Sequence, residues 1–146
     1  MTQRNLVELN RSECLDLLRR QQVGRIAYTD SVGPVAVPVN FALVGDDVVV
    51  RMERSNRALY PPNSGPDAVL AFEVDHVDAD DGSGWSVVVR GRAREVTLDA
   101  VPDLLRGMSE CPPRPFAEGV HNVWLRIQSQ TMTGRRLDAY AAPLVM

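Results

Sequence analysis

The stretch from Gly33 to Arg57, GPVAVPVNFALVGDDVVVRMERSNR, constrains the fold more than any other part of the chain. Val35, Val37, Val39, Phe41 and Leu43 take every second position and are all apolar. Ala36, Pro38, Asn40 and Ala42 lie between them and are small or weakly polar. A period of two sends successive side chains to opposite faces of a strand, so one face meets a core. The other face is bare enough to let a flat ligand approach the backbone. Pro38 has no N–H to give to a ladder, which points to an edge, a bulge or a break. A second arm, Val48 to Arg54, completes a hairpin. With Asp46-Asp47 at the tip, Leu43 faces Val50, Phe41 faces Met52 and Ala42 faces Arg51. A slip by one residue would set Arg51 against Phe41, so the unslipped register is expected. Arg51 then belongs to the small face, and Arg57 follows across Arg54-Ser55-Asn56. Two guanidinium groups with Ser and Asn donors between them suit a phosphate, which arginine grips bidentately. The same residues equally describe a solvated edge strand and a polar turn.

Around this hairpin the chain reads as more strands. Asn10 and Glu13 have the spacing of a helix capping box, and Cys14, Leu15, Leu17 and Leu18 follow at helical spacing. Gly24 is the expected stop of that helix, and Arg25–Thr29 a short strand leading into the hairpin. Residues 68–77 alternate, with Leu70, Phe72 and Val74 on the core side. Residues 85–96 form a long strand whose central Gly91 predicts a bulge or a close backbone approach. Arg90, Arg92 and Arg94 share its outer face. Residues 98–108 read as a helix with Val101, Leu104 and Leu105 inward. Residues 123–128 form a last strand, with Val123, Leu125 and Ile127 on one face and Trp124 and Arg126 on the other. Residues 130–137 are polar. The sum is a mainly β chain: six antiparallel strands, a capped N-terminal helix and one or two further helices. Six strands with one apolar face close most readily into a small barrel, which removes their edges.

The composition narrows the functions. The 146 residues fit one domain, 1–146, with a core over about 10–137. A net charge of -3 disfavours nucleic acid and anionic membranes as partners. Cys14 and Cys111 lack metal or redox spacing, and the polar N-terminus has no apolar signal core. A cytoplasmic protein with reduced thiols is expected, and no metal site. His76 and His121 stand apart from ligand-like clusters, and the acidic loop at residues 75–81 lacks calcium-loop spacing. No P-loop, GxGxxG or GxSxG motif occurs, so any chemistry is expected to come from a cofactor.

The segments LLRRQQVGRIAYTD, PVAVPVNFALVGDDVVVRMERSNRAL, AVLAFEVD, GWSVVVRGRAREV and VWLRIQSQTMTGRRL, in this order, resemble the pyridoxamine 5′-phosphate oxidase-like flavin-binding split-barrel superfamily. Small bacterial proteins related to pyridoxamine oxidase and to nitroimidazole-resistance reductases are the group they resemble most. The resemblance implies a six-stranded antiparallel split barrel and a homodimer with FMN, or the deazaflavin F420, between subunits. It implies an FMN-dependent oxidoreductase acting on a small molecule, or alternatively a flavin or F420 carrier or an F420-dependent reductase. Val37, Pro38, Val39 and Asn40 fall where relatives run backbone along the flavin ring. Arg51 falls on a phosphate-binding arginine, and Ser55, Asn56 and Arg57 on the phosphate turn, where relatives carry lysine in place of Arg57. Trp85, Ser86 and Val87 match a segment that approaches the ring from the partner chain. Trp124 and Arg126 occupy a strand beside the same cleft.

Overall fold

The computed structural model of the chain describes residues 5–53, 69–108 and 122–139. Eight strands and two α-helices lie among them. In chain order they are β1 (Leu6–Leu9), α1 (Arg11–Leu18), β2 (Val23–Thr29), β3 (Pro34–Val44), β4 (Asp47–Glu53), β5 (Val69–Val77), β6 (Gly84–Glu95), α2 (Val101–Gly107), β7 (Asn122–Ile127) and β8 (Thr131–Leu137). Six strands close a ring through antiparallel pairs in the order β2, β3, β4, β7, β6, β5 and back to β2. The expected six-stranded barrel is therefore present. Two further strands extend it, β8 pairing with β6 and β1 with β8.

The barrel is filled by the apolar sides of these strands. Val39, Phe41 and Leu43 from β3 meet Val48, Val50 and Met52 from β4, Leu70, Phe72 and Val74 from β5, and Val123, Leu125 and Ile127 from β7. The Phe41 and Phe72 rings pack edge to face with centroids 4.9 Å apart. Such pairs add roughly 0.5–1.5 kcal/mol beyond burial itself. The capping box of α1 is formed as expected: Asn10 Oδ1 accepts from the Glu13 N–H and Glu13 Oε1 accepts from the Asn10 N–H. Buried Cys14, Leu15 and Leu18 tie the helix to the core.

The hairpin differs from its expected register in an instructive way. Its tip is Gly45-Asp46, with Gly45 at φ 57, a left-handed conformation that glycine adopts without steric cost. Phe41 therefore faces Val50, Leu43 faces Val48 and Ala42 faces Val49, a shift of two residues. A shift of two leaves every side chain on its expected face, so the core is unaffected. Ala42 and Val49 are nonetheless buried on the outer face, and a bridge from Val44 to Met108 brings the end of α2 beside this hairpin. Other differences are local. The first helix ends at Leu18, and Gly24 lies within β2 against the Phe72 ring. Leu104 is buried but Leu105 is 39% exposed. The polar residues 131–137 form β8, and residues 6–9 form β1.

Gly91 marks the point on which the barrel closes. Along one edge, β6 pairs with β8 from Gly84 to Arg90 and then with β7 from Ala93 to Glu95. The chain joining β7 to β8 crosses over Gly91, with the Gln128 N–H bonded to Arg92 O and the Gln130 N–H to Arg90 O. A Cβ on Gly91 would lie 1.5 Å from Gln128 O, so the close approach expected from the sequence is real. Gly91→Ala should lose at least about 3 kcal/mol of stability, above the usual overpacking cost because backbone is what must move. Denaturant unfolding measures this; a variant as stable as the parent would contradict the crossing.

Candidate functional site

A fork between strands supplies the candidate site. The β3–β4 ladder ends at Phe41 opposite Val50. Before that point β3 belongs to β2, from Asn40 opposite Val23 to Pro34 opposite Thr29. Beyond it β4 continues with β7, setting Arg51 opposite Trp124 and Met52 opposite Val123. Asn40 and Arg51 are thus the first residues on either side of the opening. Among the described residues, no strand pairs with the far edge of Pro34–Asn40. An edge is where Pro38, opposite Arg25, is tolerated.

Arg51 stands at this opening on the outer face of β4, half-buried. Its guanidinium carbon lies 5.3 Å from the centroid of the Trp124 ring, within cation–π range. Its Nε is buried and has no hydrogen-bond partner among the described residues. A buried donor left unpaired costs about 1–3 kcal/mol, more when charged, so this atom is poised for an acceptor. Arg126, two residues along β7, is different. Its Nε donates to Asp47 Oδ2 at 2.8 Å, while Asp47 Oδ1 accepts from the Ser129 N–H at 3.2 Å. The Ser129 hydroxyl also donates to Asp46 O. Asp47 therefore already meets the charge of Arg126, and of these two arginines only Arg51 has a buried donor left without a partner among the described residues. The chemistry of this set fits a phosphate: a permanently charged donor, an aromatic wall and an open backbone edge.

The remaining expected site residues are distributed as follows. Val37 is half-buried and Val39 fully buried against the core, so their side chains build the strand; Pro38 is exposed and Asn40 half-buried at the opening. Ser55, Asn56 and Arg57 lie outside the described residues. Val87 is fully buried in the core, while Trp85 and Ser86 line a separate cavity together with Arg135 and Glu73. Within one chain, then, the structure joins Arg51, Trp124 and Asn40 at the fork and sets Trp85 and Ser86 elsewhere. Asp47 was visible in the sequence only as a turn residue. Its role as the partner of Arg126 emerges from the β4–β7 pairing.

With this geometry in place, comparison with known proteins is informative. Residues 10–136 match the pyridoxamine 5′-phosphate oxidase family. The chain belongs to that family. Its relatives include the uncharacterized protein Rv0080 of Mycobacterium tuberculosis, 38% identical over 96 residues, which span 64% of this chain and 63% of that one. Thus the match covers less than two thirds of that relative. A candidate pyridoxamine 5′-phosphate oxidase from Corynebacterium glutamicum is similar in structure, with TM-score 0.71 and 25% identity over 93% of this chain and 96% of that one. An FAD-binding protein from Mycobacterium smegmatis is similar at TM-score 0.68 and 26% identity, covering 89% and 98%. Among the described residues of this family member, no helix is long and apolar enough to cross a membrane.

On the neighbouring strands β2 and β5, Arg25 Nη1 bridges Glu73 Oε1 at 3.3 Å and Asp75 Oδ2 at 3.1 Å. Burial first, then the hydrogen bond and charge of Asp75, push the Glu73 carboxyl up from 4.5 to about 7, against the pull of Arg25. The folded state thus holds this proton more tightly than the unfolded chain. The stability that Glu73 contributes is complete below the ordinary carboxylate range and is lost as pH rises through about 7. Glu73→Gln cannot ionise, so its melting temperature should gain on the parent between pH 5 and pH 8. Parallel melting curves for the two proteins across that range would contradict the assignment.

Proposed function

We propose that this chain binds a flavin nucleotide at the fork between β3 and β4 and acts as a flavin-dependent oxidoreductase on a small molecule. The observation that carries the reading is the buried, unpartnered Nε of Arg51 beside the Trp124 ring. Family membership supports it, as does the similarity to an FAD-binding protein of Mycobacterium smegmatis. When bound, the flavin supplies the hydride and electron chemistry. The chain's residues hold and orient it. Arg51 donates to the phosphate, and Trp124 keeps water from the guanidinium. The open edge of Pro34–Asn40 offers backbone groups to the ring, and the core side chains Val39 and Phe41 hold that edge rigid. Backbone donors fixed in advance favour negative charge developing on a bound ring, because nothing has to reorganise as it forms.

FMN is the first expectation and F420 the alternative, while the Mycobacterium smegmatis relative adds FAD; all carry the phosphate that Arg51 would meet. In the same reading two copies of the chain close the cleft, with Trp85 and Ser86 reaching it from the second copy. Action in the cytoplasm is part of this reading, and the free buried thiol of Cys14 agrees with it.

The purified protein should carry, or take up, a chromophore with flavin absorption, identified by the mass of the released molecule. It should elute as a dimer. Arg51→Ala should weaken flavin nucleotide binding about 10- to 100-fold, the worth of a charge-assisted hydrogen bond. Arg126→Ala should weaken it much less. A colourless protein to which no flavin can be restored would overturn the binding. Bound flavin that no reductant and acceptor pair turns over would overturn the oxidoreductase and leave a carrier.

A further inference from the structure

One row of outward-facing residues runs from the open edge of β3 into the sheet. Pro38 lies opposite Arg25, Arg25 opposite Glu73, and Glu73 opposite Val88. Paired strands are about 4.8 Å apart, so Arg25 stands one strand from the edge and Glu73 two. Asp75 follows Glu73 by two residues and shares its face of β5. Arg25 Nη1 lies within 3.3 Å of a carboxyl oxygen of each. A single nitrogen therefore holds two acids side by side, next to the edge assigned to the ligand.

The charges of this cluster do not cancel. One guanidinium meets two carboxyl groups, so full ionisation leaves one negative charge, and a proton on either acid makes the cluster neutral. Two carboxylates this close disfavour each other's ionisation, which keeps that proton on near neutral pH. Glu73 carries the effect: burial, then Asp75, push its carboxyl up to about 7 against the pull of Arg25. The surrounding strands do not restore the balance. On β2, Val23 and Ala27 flank Arg25 and are uncharged. On β6, Val88 lies opposite Glu73 and Ser86 opposite Asp75, while Arg90 is one row away, opposite Ala71. Arg135 of β8 lies across the recess that Glu73 and Asp75 also line. Among the described residues, only Arg25 pairs with the two acids.

We propose that Arg25, Glu73 and Asp75 form a proton-operated charge switch beside the β3 edge: neutral and open to an anionic ligand while the acids share one proton, repelling it once that proton is lost. The inference deepens the flavin reading and rests on it only for the identity of the ligand. Loss of the proton adds one full negative charge about two strand spacings from the edge, on the same face. At about 10 Å near a protein surface, one charge changes the local concentration of a monoanion roughly two- to fivefold. The coupling is reciprocal: an anion at the edge holds the proton on, so its binding takes up protons near neutral pH.

A thiol placed at the edge reads the switch without any flavin. In Cys111→Ser protein carrying Pro38→Cys, alkylation rates with anionic iodoacetate and neutral iodoacetamide are compared from pH 6 to pH 8.5. Cys14 is buried and stays silent. The ratio of the two rates cancels the ionisation of the thiol itself. It should fall about two- to fivefold as pH rises through about 7. With Glu73→Gln added, the ratio should keep its pH 6 value throughout. Asp75→Asn removes the acid that raises Glu73, so it should move the fall to lower pH. A ratio independent of pH in the parent, or one that falls equally with Glu73→Gln, would overturn the inference. With Pro38 in place, FMN affinity should match that of Glu73→Gln at pH 6 and be at least about twofold weaker at pH 8.5. Equal FMN affinities at both values would overturn control of the ligand by the switch. A protein that binds no flavin yet shows the pH-dependent ratio would support the switch and overturn the flavin reading alone.

Discussion

Closure of the barrel depends on one backbone contact, the packing of the Gln128 carbonyl against the bare Cα of Gly91. It lets a single edge of β6 serve two partners, β8 along its first half and β7 along its second. Without that exchange β7 could not pair with β6, and the ring of six strands would remain an open sheet. The contact is held by flanking hydrogen bonds from Gln128 to Arg92 and from Gln130 to Arg90, so it is both tight and satisfied. A side chain on residue 91 would separate two backbones, which no rotamer change can relieve.

The same device recurs at β3 with a different consequence. That strand also divides its length between two neighbours, β2 and then β4. At β6 the exchange is filled by the crossing chain. At β3 it leaves a backbone edge and an opening, and Arg51 stands at its lip. The partition of charge around the opening decides what it can hold. Arg126 is neutralised by Asp47, whereas Arg51 keeps a buried donor without an acceptor. Holding a charged group in that state is unfavourable for the folded chain alone, and an anionic ligand would convert the cost into affinity.

Much of the barrel was legible in the sequence because its core follows strict alternation. Val39, Phe41 and Leu43 could face only one way, and so could Leu70, Phe72 and Val74. The capping pair Asn10 and Glu13 and the crowded Gly91 were local signals that tertiary structure did not override. The hairpin register was not legible to the residue, since both tips preserve the faces and the conformation of Gly45 chooses between them. β8 was hidden by its polarity: its residues are exposed or half-buried, so TMTGRRL carries no apolar period. In the site, Arg51 was identified by type, but the distinction from Arg126 was invisible. The partner that neutralises Arg126 lies 79 residues away and meets it only through the β4–β7 pairing. The cavity beside Trp85 was likewise out of reach, because it exists only where Gly84 and Ser86 of β6 lie between larger residues of the strands paired around them.

The central claim is that the Arg51 guanidinium recognises the phosphate of a bound flavin nucleotide. The most direct measurement is the affinity ratio of FMN to riboflavin, which lacks the phosphate, in the parent protein and in Arg51→Ala. The account predicts a preference for FMN of at least about tenfold in the parent, the scale of one charge-assisted hydrogen bond, and its near disappearance in the variant. A preference that survives the loss of Arg51 unchanged would contradict it.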